Sequence, residues 1–159
     1  MKPFTFFVLA VAVLFAAPAF AQESANMTME ILKEKVKADK KLLVAANMNL
    51  TDAEAKGFWP LYASYQKELE QINQKLGGTI KAYADAHNAG KGMIPDETAK
   101  KLLKEALAAD EAEVKLRQSY AAKLDKVLPG TKVARYLQIE NKIRAILKFE
   151  LAQQIPLVQ

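Results

Sequence analysis

Apolar residues from Phe58 to Tyr83 recur at alternating steps of four and three positions, the spacing that lets one helix lie along another. Members of this seam are Phe58, Tyr62, Tyr65, Leu69, Ile72, Leu76 and, after the polar Thr79, Tyr83. The phase is kept across Gly77 and Gly78, so we expect one continuous helix there. Pro60 lacks a backbone donor and should bend this helix near Gly57.

The start of this helix is marked by Leu50-Thr51-Asp52-Ala53-Glu54. Thr51 can accept a hydrogen bond from a backbone N–H of the first turn, and Glu54, three residues later, can accept one from the backbone N–H of Thr51. This arrangement is a capping box. The glycines and the proline between Asn88 and Pro95 predict the loop that follows the helix.

Three further helices are predicted, at about 29–48, 96–128 and 132–154. The first carries Leu32, Val36 and Leu43, with the neighbouring Ile31 and Val44, on one side and ends at Asn47 to Asn49. The expected seam of the third helix along the chain comprises Leu103, Leu107, Val114, Ala121, Leu124 and Leu128, with Asp110 and Arg117 between them. That of the fourth comprises Tyr136, Ile139, Ile143, Ile146, Leu147 and Leu151. No stretch alternates as a strand does, so the sequence predicts an all-α fold of about four helices.

Residues 1–21 have the features of a secretory signal peptide. Lys2 is followed by an apolar stretch and by Ala19-Phe20-Ala21, a peptidase site. We expect cleavage after Ala21, a single helical domain over 22–159, a periplasmic location and no membrane insertion after processing. The alternative is an uncleaved anchor, because residues 4–21 approach the length that spans a bilayer, about 20 residues.

The amino-acid composition limits the kinds of catalysis and metal binding that the chain can support. The chain has no cysteine, which excludes thiol catalysis and thiolate metal sites, and its single histidine, His87, is expected at the surface. Asp110, Glu111 and Glu113 lie among lysines, which favours a solvated charged face over acid–base catalysis. We therefore predict no enzyme activity, no cofactor and no metal site.

Basic and apolar residues alternate on the first and fourth helices, and the formal net charge is +5. Such a surface suits flexible, amphipathic or acidic partners, although a solvated basic face explains the same pattern. Trp59 lies one position off the seam and is a candidate for an apolar contact at a groove or between two copies. The candidate binding residues are Lys33, Lys37, Lys40, Trp59, Arg135, Lys142, Arg144 and Lys148.

The segment Leu50-Thr51-Asp52-Ala53-Glu54 resembles the LTxxQ motif of the Spy/CpxP family of periplasmic proteins, with Glu54 in place of glutamine. The resemblance implies long bent helical hairpins and an antiparallel homodimer that holds unfolding envelope proteins without ATP, or an envelope-stress adaptor. A structural or assembly protein that docks on one dedicated partner is the first alternative. A metal-responsive sensor, the role of a related group, is the second. No nucleic-acid partner is expected.

Overall fold

The computed structural model describes residues 38–158, and every regular element among them is helical. Residues 38–48 belong to α1, whose start lies outside the described residues. The other helices are α2 (Asp52–Ala89), α3 (Asp96–Leu124) and α4 (Gly130–Gln154). The prediction of an all-α fold with about four helices is confirmed. The predicted signal peptide also lies outside the described residues and stays a prediction.

The chain divides into two compact units, of which the second, Leu43–Gln159, contains the core and the surfaces considered below. Of the first unit, residues 38–42 are described, and they are helical.

The turn between α1 and α2 confirms the predicted capping box. Thr51 N donates to Glu54 Oε2 over 2.7 Å, and Glu54 N donates to Thr51 Oγ1 over 3.3 Å. Asn49 has a φ of 47°, a left-handed conformation that asparagine tolerates better than most residues. Both ends of the turn are thus encoded in local sequence.

Helix α2 runs without interruption for 38 residues through Pro60, Gly77 and Gly78, as the unbroken seam predicts. It ends in a turn at residues 90–92 that reverses the chain into α3. A Cβ at Gly90 would stand 1.9 Å from the carbonyl oxygen of Met93, so this turn accepts no side chain there. Helices α2 and α3 therefore form a hairpin, and they pack against each other along it.

Aromatic side chains dominate the core at the end of the bundle where α2 begins. Phe58, Tyr65 and Tyr136 are at most 2% exposed, and Tyr136 meets Phe58 edge-on at 5.1 Å between ring centroids. Tyr65 and Tyr120 make a similar contact at 5.3 Å. Edge-to-face pairs add to the free energy gained by burying the rings. The predicted α2 seam is confirmed: its first four members are buried and the rest are partly buried.

The predicted seam of α3 is wrong over its first half. Leu103, Leu107 and Val114 are 60%, 59% and 43% exposed. The buried face lies beside it and comprises Leu102, Ala109, Glu113, Leu116, Tyr120 and Leu124. Because Tyr120 and Leu116 pack into the core cluster, they determine which face of α3 meets α2.

Three smaller predictions are also corrected. Helix α3 ends at Leu124 rather than near Leu128, because Pro129 disfavours helical backbone at the residue before it and residues 125–127 form turns. Helix α4 begins at Gly130, two residues earlier than expected. In α1, Leu43 is 47% exposed and does not belong to the buried side, whereas Val44, also predicted there, is fully buried, as is Met48.

Candidate functional site

The outer face of α3 presents apolar side chains to solvent. We call Leu103, Leu107 and Val114, which follow one another at steps of four and seven residues, the α3 stripe. Its first two members lie on an open part of the α3 surface, and the residues around them are Lys100, Lys104, Ala108 and Glu111. Large exposed apolar side chains that share one face are uncommon on a monomer and mark binding surfaces more often than isolated ones do.

The second half of α4 also exposes apolar side chains. We call residues 141–154 the α4 arm. Ile146 and Phe149 are 64% and 61% exposed, and Leu147 and Leu151 are 49% and 39% exposed. The predicted α4 seam is therefore wrong beyond Ile143, since Tyr136 is buried and Ile139 and Ile143 are partly buried.

The two apolar surfaces adjoin at an ion pair. Lys148 Nζ lies 2.9 Å from Asp110 Oδ1, and both side chains are about half exposed. Asp110 lies between Leu107 and Val114 on α3, while Lys148 lies between Leu147 and Phe149 on α4. The pair therefore joins the α3 stripe to the α4 arm.

Beneath these surfaces is a polar contact that involves three helices. Arg144 of α4 donates to Glu113 of α3 and, over 2.5 Å, to Asn73 Oδ1 of α2. The side chain of Glu113 is 5% exposed and that of Arg144 is 15% exposed. The expectation that Glu113 belongs to a solvated face is thus wrong, because its side chain is buried. A carboxylate at this depth requires a cationic partner, which Arg144 provides.

A second polar group lies closer to the aromatic core. Gln66 Nε2 donates to Glu140 Oε1 over 2.8 Å and to the Tyr136 hydroxyl over 3.3 Å. Burial, together with the negative charge of Glu140, raises the pKa of Tyr62 to about 12. The same two causes raise the pKa of Tyr136. Both phenols are therefore neutral at physiological pH. Through Gln66, this cluster links α2 to α4 by hydrogen bonds.

The structure separates the predicted binding residues into several environments. Arg135 and Lys142 are exposed on α4, and Lys148 is exposed but paired with Asp110. Arg144 is instead enclosed by its ion pair, so its guanidinium is not presented to solvent. Trp59 is partly buried and meets Phe58 and Tyr62 edge-on. Lys40 lies in the first unit, and Lys33 and Lys37 lie outside the described residues.

His87 is partly buried and stacks on Tyr83, with 6.0 Å between ring centroids. Among residues 38–158, no group of three or more potential protein ligands is arranged to hold a metal ion. Within the same part of the chain, no helix is both long and apolar enough to cross a membrane.

Sequence reasoning missed Lys132, whose ammonium lies 2.5 Å from Glu54 Oε2 and 2.8 Å from the carbonyl oxygen of Asn49. This contact ties the start of α4 to the capping box. No sequence signal identifies it, because the partners are 78 and 83 residues away. The ion pair of Arg144 with Glu113 was missed for the same reason.

Comparison of the chain with protein-family models, with curated proteins and with solved structures gives no match.

Proposed function

We propose that this chain is a periplasmic protein that binds exposed segments of other envelope proteins without ATP, as a holdase chaperone or a stress adaptor. The observation that carries the proposal is the pair of exposed apolar surfaces beside a buried aromatic core, the α3 stripe and the α4 arm. A folded protein that keeps such side chains in solvent gains free energy when a partner covers them, by about 25 cal/mol for each Å² of apolar surface buried.

Charged residues beside these surfaces support the binding of varied clients over the binding of one dedicated partner. Lys100, Lys104 and Glu111 surround the first two residues of the α3 stripe, and Lys142 lies at the start of the α4 arm. Long lysine side chains can cover apolar groups or move aside, and their charge attracts acidic clients from a distance. Clients with unlike sequences can therefore be held by the same apolar side chains.

An aggregation assay tests the proposal. The chain, added at near-stoichiometric ratios, should suppress light scattering by two unrelated proteins that unfold under mild denaturing conditions, with no nucleotide present. A protein that docks on one dedicated partner would leave both aggregation curves unchanged, and that result would favour the structural alternative.

The proposal also includes export to the periplasm and formation of a homodimer, and each is tested by a separate measurement. The protein recovered from the envelope should begin at Gln22, and an N-terminus at Met1 would contradict export with cleavage after Ala21. The solution mass of the processed chain should be that of a homodimer. A monomer mass across the micromolar range would remove the dimer from the proposal without affecting client binding.

A further inference from the structure

The α4 arm is attached to the rest of the bundle differently from the first half of α4. In the first half, Val133, Tyr136 and Glu140 are buried. In the arm no residue is buried, and Ile143 and Arg144 are its partly buried members. Burial of apolar surface therefore fixes the first half of α4 and contributes little to fixing the arm.

Polar side-chain contacts take the place of apolar packing along the arm. Arg144 pairs with Glu113 and Asn73, and Lys148 pairs with Asp110. Beyond the arm, the Tyr83 hydroxyl donates to the carbonyl oxygen of Pro156 over 2.7 Å. Exposed ion pairs such as Lys148–Asp110 contribute little to stability and are weakened by salt. The buried Nε of Arg144 has no hydrogen-bond partner, so the central contact is incompletely satisfied.

We propose that the α4 arm is displaceable, and that a client helix which replaces it on α2 and α3 carries a basic side chain that pairs with Glu113. This inference rests on the proposed function for the existence of clients, but not for the movement of the arm. The arm then occupies a second binding surface, on α2 and α3, and clients compete with the arm for that surface.

Charge determines which clients fit. When the arm leaves, the carboxylate of Glu113 becomes accessible to water, and a helix that takes the arm's place buries it again. A buried carboxylate without a cation is strongly unfavourable, so the replacing helix must supply one at the position that Arg144 now occupies. The same basic group would also meet Asn73 of α2, whose side-chain oxygen now accepts a hydrogen bond from Arg144.

The chain's own sequence provides the probe. A synthetic peptide with the sequence of residues 137–154 should displace the arm, and the matched control is the same peptide with Arg144→Gln. The chain has no cysteine, so two introduced cysteines carry the only spin labels. Labels at Ala122 and Gln153 report the distance from α3 to the arm. Labels at Ala108 and Ala134 report the distance from α3 to the first half of α4. All four positions are exposed.

Addition of the unmodified peptide to the full chain should lengthen and broaden the distance distribution between residues 122 and 153 and leave that between 108 and 134 unchanged. The Arg144→Gln peptide should need at least about tenfold higher concentration for the same change, a difference in binding free energy of about 1.4 kcal/mol. An unchanged 122–153 distance at saturating peptide would overturn the inference. So would equal potency of the two peptides, or an equal change in the 108–134 pair. This experiment does not measure aggregation, so a failure of the peptide to displace the arm can be distinguished from a lack of chaperone activity.

Discussion

At the scale of single residues, the carboxylate of Glu54 makes two contacts at the start of α2. It closes the capping box with Thr51 and also binds the ammonium of Lys132. A glutamine could accept the backbone hydrogen bond but could not form the ion pair. The acidic residue at this position of the motif is therefore explained by a partner at the start of α4.

Replacing Thr51 by alanine removes the side-chain acceptor at the start of α2. We expect Thr51→Ala to lower the free energy of unfolding by about 1 kcal/mol, the usual contribution of such a cap. Thr51→Ser keeps the hydroxyl and should remain close to wild type. Urea unfolding followed by circular dichroism measures both, and an alanine variant as stable as the wild type would show that the hydroxyl does not cap α2.

The hydrogen bond with Lys132, followed by that with the backbone of Thr51, lowers the pKa of Glu54 below its ordinary value of 4.5. A carboxyl whose pKa is lower in the folded state contributes stability above its unfolded pKa. That contribution is lost as the pH falls through the folded value. Glu54→Gln has no charge to titrate, so the variant should be less stable than wild type at pH 7. The difference should shrink well below pH 4.5, and an equal difference at pH 7 and pH 3 would rule out this linkage.

At the scale of helices, α3 has two neighbouring apolar faces offset by one position. Leu102 is 7% exposed and belongs to the face that meets α2, whereas Leu103 is 60% exposed and belongs to the α3 stripe. Heptad spacing alone favours the face with more leucines. Packing instead buries the face with Tyr120, because that ring contacts Tyr65 in the aromatic core.

The two adjacent leucines provide a matched test of the face that α3 buries. Leu102→Ala should lower the free energy of unfolding by about 2–5 kcal/mol, as expected for a buried leucine. Leu103→Ala should change it by no more than about 0.5 kcal/mol, since exposed positions tolerate substitution. Denaturant midpoints of the two variants decide between the faces, and a greater loss for Leu103→Ala would mean that α3 turns its other face to the core.

Sequence reasoning succeeds in this protein where the determinants are local. The capping box, the turn at Asn49 and the continuity of α2 across Gly77 and Gly78 each depend on residues within a few positions of one another. It fails where the partner is remote. The burial of Glu113 depends on Arg144, 31 residues later, and nothing in the spacing of either residue indicates that they meet.

At the scale of the whole unit formed by residues 43–159, packing is uneven. The aromatic core, reinforced by Val44, Met48, Leu128 and Val133, lies where α2 and α4 begin. Toward the α2–α3 turn, the hairpin and the α4 arm leave large apolar side chains in solvent. Buried apolar packing is thus concentrated at one end. If clients bind at the other end, as proposed, the core can stay folded while they do so.

The central claim is that the exposed apolar side chains of the α3 stripe and the α4 arm hold clients. Its most direct test is aggregation suppression by a variant with Leu103, Leu107, Ile146 and Phe149 all changed to glutamine. The matched control carries four glutamine substitutions at exposed apolar positions outside both surfaces, Leu42, Leu43, Met93 and Leu157. Circular dichroism should show wild-type helix content for both proteins. The variant with four changes in the two surfaces should lose most of its suppression of light scattering, while the control should keep it. If the variant is as effective as wild type, these side chains do not hold clients.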